Sequence, residues 1–169
     1  MQTVQIGGAA FILGGIAAAA LALMPTDPFR DCRDARIAGL EDLGGPFALR
    51  TESGALITDS KLFEEPSLVY FGYTFCPDMC PLDNARNAEA AFLLADQGIK
   101  VQTVFVSVDP ARDTLERLRE YTDAFSEEML GLTGTPDQIK GAADAYDVFY
   151  AIPQAQSDDD YYLIDHSTH

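Results

Sequence analysis

Tyr70-Phe71-Gly72-Tyr73-Thr74-Phe75-Cys76-Pro77-Asp78-Met79-Cys80-Pro81 carries two cysteines across a change of chain character. Before them, Ser67–Thr74 is a short apolar and aromatic run with polar ends, which predicts a buried central strand. After them, Pro81 suits the first turn of a helix, where its missing N–H costs nothing, and Ala85–Gln97 is rich in Ala and Leu up to a C-capping Gly98. The thiols therefore sit at a strand-to-helix corner. Unsatisfied N–H groups and the helix dipole at such a corner favour the thiolate, the form that binds soft metals and attacks disulfides.

Working outward, Phe47–Thr58 holds two short extended runs around Gly54, a predicted β-hairpin. Lys100–Val108 reads as a second buried strand closed by Asp109-Pro110. Asp113 with Glu116 predicts a capping box and a helix to about Phe125. Leu130–Thr133 is a brief strand, Pro136 opens a helix through Asp147, and Phe149–Ile152 and Tyr161–Ile164 are strand-like around the acidic loop Ser157–Asp160. This order predicts an α/β fold whose central strands are parallel and whose helices cover both faces. A dithiol at the carboxyl end of the first central strand resembles the arrangement of thioredoxin-like proteins, and open sheets of this kind bind ligands beyond their carboxyl ends.

The chain of 169 residues suits one domain plus an appendage, and 47% hydrophobic content suffices for a core. With 11 Lys+Arg against 27 Asp+Glu, the net charge of −16 argues against nucleic acid as a partner. Val4–Leu23 is a 20-residue stretch without a charge. As a helix it would span about 30 Å, so residues 1–24 are expected to be a membrane anchor. A cleaved signal segment ending at Ala20-Leu21-Ala22 is the alternative, disfavoured by the length of the run and the absence of a basic leader. Arg30, Arg33 and Arg36 follow the anchor, interleaved with Asp27, Asp31 and Asp34, and orient it poorly. Residues 25–43 read as a linker that holds the odd thiol Cys32, and residues 44–169 as the domain.

Three residues separate Cys76 from Cys80, where thioredoxin-type redox motifs have two. A spacing of four on a helix brings both side chains to one face, near enough for a disulfide or for two bonds to one metal. Two thiolates do not fill a coordination sphere, and the only histidines are His166 and His169. A last strand ending near the first central strand would add His166, giving two sulfurs and an imidazole, a set suited to both Cu(I) and Cu(II). Zinc normally takes four ligands or three plus water, and iron–sulfur clusters want four cysteines. Plainer readings stand beside these: a structural disulfide, a surface His166, a frayed His169, a gap-filling Met79, and a solvated Asp158–Asp160 loop.

The stretch from Tyr70 to Pro81, then Val106–Thr114, Gly131–Thr135 and Tyr162–Ser167, occur in this order, and together they resemble the SCO/SenC family of copper proteins. The resemblance covers roughly Gly44–His169 and implies a thioredoxin-like domain anchored by one N-terminal transmembrane helix. It implies exposure to the periplasm, or to the equivalent mitochondrial compartment, and assistance in building the dinuclear copper site of cytochrome c oxidase. Metal ligands carry over onto Cys76, Cys80 and His166, and the acidic residue of the Ser-Val-Asp-Pro motif onto Asp109, as a group near the site or a strand terminator. The implied partners are the copper subunit of the oxidase and a periplasmic copper donor. Two other functions stay open: a thiol–disulfide oxidoreductase that keeps target cysteines reduced, and a redox or copper sensor. The family also continues past the histidine motif through a strand hairpin and a final helix, so the domain is expected to be C-terminally incomplete, with an open sheet edge.

Overall fold

The computed structural model describes residues 43–153 and 162–167. Its central sheet has five strands: β1 (Ala48–Thr51), β2 (Leu56–Thr58), β3 (Ser67–Gly72), β4 (Gln102–Ser107) and β5 (Leu130–Thr133), in the order β2-β1-β5-β4-β3. The three apolar runs β3, β4 and β5 pair in parallel, with Tyr70 opposite Phe105 and Val106 opposite Leu132. The predicted hairpin β1–β2 joins the far side antiparallel, through Thr51 opposite Leu132. Strands buried on both faces have this near-continuous apolar character, and β4 is buried from Thr103 onward.

Helices cover the two faces, and side-chain alternation along β3 shows which face each covers. Tyr70 stacks on Phe105, which meets Tyr121 of α3 (Leu115–Asp123) at 4.8 Å, and Gly72 on this face meets the sulfur of Cys80 in α2 (Met79–Asp96). Phe71 points the other way, toward an aromatic cluster of Phe47, Phe63 and Tyr146. That cluster lies beside the single turn α1 (Asp59–Leu62) and the end of α4 (Pro136–Ala145). Thr135 and Gln138 make a full capping box at α4, and Gly98, at φ 78°, follows the end of α2 as expected.

Two local expectations are corrected. Asp113 does not cap α3; Thr114 does, its hydroxyl accepting from Arg117 N at 3.2 Å. Asp113 is drawn away by stronger partners, accepting from Thr74 N at 3.0 Å, from Thr74 Oγ1 at 2.6 Å and from Ser107 Oγ. The last strands also differ from the pattern read in the sequence. Tyr150–Ala151 (β6) pairs antiparallel with Asp165–His166 (β7) as a separate two-stranded ribbon, so His166 is a strand residue and the strand begins later than expected. Among the described residues no helix is long and apolar enough to cross a membrane, and Val4–Leu23, residues 25–42 of the linker with Cys32, Asp158–Asp160 and His169 lie outside them.

Candidate metal centre

Cys76 leaves β3 just before the helix, and Cys80 is the second residue of α2. Pro77 and Asp78 turn the chain so that the N–H of Cys80 points back to Cys76 Sγ at 3.4 Å. Cys76 thus accepts from the open end of α2 as a capping residue would. Burial pushes its thiol up, but hydrogen bonds from the N–H groups of Asp78, Cys80 and Met79 and from the Cys80 side chain outweigh burial, and the net shift is downward. Cys80 is fully buried, and that burial pushes its thiol up to about 12 despite a hydrogen bond from the backbone of Tyr73. At neutral pH Cys80 keeps its proton, while Cys76 is the readier thiolate.

His166 arrives from the ribbon, with Nε2 3.3 Å from Cys80 Sγ across 86 residues of sequence. Its Nδ1 lies 3.0 Å from the carbonyl oxygen of Ser167. A carbonyl only accepts, so this contact assigns the ring proton to Nδ1 and leaves the lone pair of Nε2 facing the sulfurs. Tyr70 and Tyr73 hold the imidazole edge-to-face at 6.1 and 5.8 Å. The donor atoms of Cys76, Cys80 and His166 all lie within 4.8 Å of one another. Among the described residues both cysteines are free, so the pair is available to a metal or to an incoming disulfide.

Residues 35–169 match the SCO1/SenC family. The chain belongs to the SCO1/SenC family. SenC of Rhodobacter capsulatus is 49% identical over 162 residues, covering 95% of this chain and 72% of SenC. The mitochondrial SCO1 homolog 1 of Arabidopsis thaliana is 40% identical over 131 residues, and this chain spans only 39% of its length. The crystal structure of Arabidopsis ScoI with copper bound superposes with a TM-score of 0.68 at 39% identity, over 75% of this chain and 78% of that one. The thioredoxin-like fold with a mixed sheet and flanking helices is thereby established.

Of the site residues expected from the sequence, Cys76, Cys80 and His166 come together. Asp109, expected as a group near the site or a strand terminator, is not one of the three donors. It is fully buried at the carboxyl end of β4, accepts from Tyr162 Oη at 2.8 Å on one oxygen and pairs with Arg112 Nε on the other. Met79 is exposed. Reading the sequence missed Gly72, where a Cβ would stand 2.9 Å from Cys80 Sγ, and Asp113, which ties Thr74 at the corner to Ser107 of β4. It also passed over Arg112 and Tyr162. The available signals were a glycine at the end of an otherwise bulky strand and two aspartates four apart after β4.

Proposed function

We propose that this chain is a copper metallochaperone, holding copper between Cys76, Cys80 and His166 and passing it by ligand exchange to the copper subunit of cytochrome c oxidase. The convergence of two sulfurs and one imidazole nitrogen within 4.8 Å carries the reading. Two thiolates suit Cu(I), the imidazole accommodates Cu(II), and three donors leave the ion open to attack by an acceptor's ligands. The bound copper of the Arabidopsis relative supports the choice of metal. Cu(II) added to the protein is expected to give an intense thiolate-to-copper band that disappears in Cys76→Ala and weakens strongly in His166→Ala. A spectrum indifferent to both substitutions would sink the proposal.

In the same reading Val4–Leu23 is the transmembrane helix, residues 25–43 tether the domain, and the domain works in the periplasm or its mitochondrial equivalent, loaded by a small copper donor there. Fusion of a reporter after residue 43, active only in the periplasm, tests that topology.

The unequal thiols favour a second reading, a thiol–disulfide oxidoreductase. Cys76 thiolate attacks a target disulfide and releases one target thiolate. Cys80, losing its proton, then attacks the mixed disulfide, leaving Cys76–Cys80 oxidised and both target thiols reduced. Exchange with a disulfide peptide separates the readings, because a purely redox role leaves His166→Ala fully active.

A further inference from the structure

Among the described residues, the ribbon that carries His166 is bonded to itself and, beyond itself, through the Ile164 N–H to the Tyr73 hydroxyl. Its pairing is Tyr150 with His166 and Ala151 with Asp165, extended by Ser167 N to Phe149 O at 2.9 Å, and all of these bonds are internal to the ribbon. Arg112 adds a clasp from a single side chain. Its Nε pairs with buried Asp109, its Nη1 donates to the carbonyl of Tyr162 at 2.9 Å, and its guanidinium carbon lies 3.4 Å from the Tyr162 ring centroid. The same guanidinium stands 4.7 Å from the ring of Phe75, the residue before Cys76. Tyr162 in turn donates to the second oxygen of Asp109 at 2.8 Å. One side chain thus joins the loop after β4, the thiol corner and the segment four residues ahead of the histidine. The planar fork and flat face that this needs belong to arginine and not to lysine.

We propose that Arg112, locked by Asp109, is the positioning residue that holds the His166 segment over the two thiols and so makes the third metal ligand available. This rests on the copper reading of the site. Loosening the outer partners of a metal ligand typically costs about 10–100-fold in affinity. If Arg112 acts through His166, its effect must vanish once the imidazole is gone.

The experiment compares the full chain as wild type, Arg112→Lys, His166→Ala and the double variant. Cu(II) affinity is measured by chelator competition, imidazole nitrogen coupling by pulsed electron paramagnetic resonance, and amide exchange at Ile164–Ser167 in the metal-free protein. Arg112→Lys is expected to lose about tenfold or more in Cu(II) affinity. It should also weaken the nitrogen coupling and speed exchange across Ile164–Ser167, while costing less than about twofold in the His166→Ala background. Unchanged nitrogen coupling, or an equal loss in both backgrounds, overturns the proposal. Should Arg112→Lys fail to fold, Tyr162→Phe, which removes only the hydroxyl bond to Asp109, must show the same pattern at smaller size, and its absence is equally fatal. A wild type that gives no thiolate-to-copper band defeats the copper reading instead, and the exchange comparison still decides whether Arg112 holds the segment.

Discussion

At the scale of single residues, two sulfur atoms separated by one turn have opposite chemistry because one faces open helix N–H groups and the other faces the core. Iodoacetamide at neutral pH is expected to modify Cys76 at least about tenfold faster than Cys80, read by peptide mass mapping. Metal entry must displace the proton of Cys80, so apparent copper affinity should rise with pH, with proton release measurable in weakly buffered solution. The stability linkage has a defined sign. Cys80 has a folded value of about 12 against an ordinary 9.0, so its contribution is complete below pH 9 and is lost as pH rises from there through 12. Thermal melts of the metal-free protein should show this alkaline slope, to which the tyrosines raised by burial, Tyr70, Tyr73 and Tyr121 among them, add above about pH 10, and Cys80→Ala should remove the part that begins near pH 9. Gly72 makes the buried sulfur possible. Gly72→Ala places a methyl 2.9 Å from both Cys80 Sγ and the Tyr70 ring, and should cost about 1–3 kcal/mol in urea unfolding while displacing the sulfur from its place in the site.

At the scale of elements, the corner between β3 and α2 was legible because an apolar run, a proline and a glycine stop each speak locally for themselves. The parallel order of β3, β4 and β5 followed from the same local signals. The ribbon followed only in part: Phe149–Ile152 contains β6, but the run Tyr161–Ile164 stops just short of β7, since two-residue strands have too little length to show a period. Asp113 misled for a related reason: an aspartate three residues ahead of Glu116 has the form of a cap, yet its neighbour Thr114 could take that place. The carboxylate then found Thr74, 39 residues away, and burial pushes its pKa up even against the bonds from Ser107 and Thr74. Asp109 was legible as important but not as a clasp, because its partner Tyr162 is 53 residues distant. Thr74→Val, which removes the 2.6 Å bond to Asp113 and keeps the main-chain one, should cost about 1–3 kcal/mol. It should also quicken Cys80 alkylation, a loosening of the corner that a merely global loss of stability would not confine to that site.

At the scale of the whole molecule, metal binding and folding are one equilibrium, since the three donors meet only in the folded chain. Copper at about 100 times its dissociation constant should stabilise the native state by about 2.7 kcal/mol, and Cys76→Ala with Cys80→Ala should abolish the rise in melting temperature. The net charge of −16 adds a prediction of its own. Association with an acidic acceptor should be repelled at long range and strengthen with added salt, whereas a basic acceptor would show the reverse, and stopped-flow rates at two ionic strengths distinguish them. The sequence separation of 86 between Cys80 and His166 also sets an order of events during synthesis. The thiols leave the ribosome first and the imidazole much later, so a growing chain offers its cysteines before any histidine. Any ion captured at that stage is held by two sulfurs, and only the arrival of the ribbon converts it to a three-point grip. Full loading is therefore a signal that translation and folding have both run through β7.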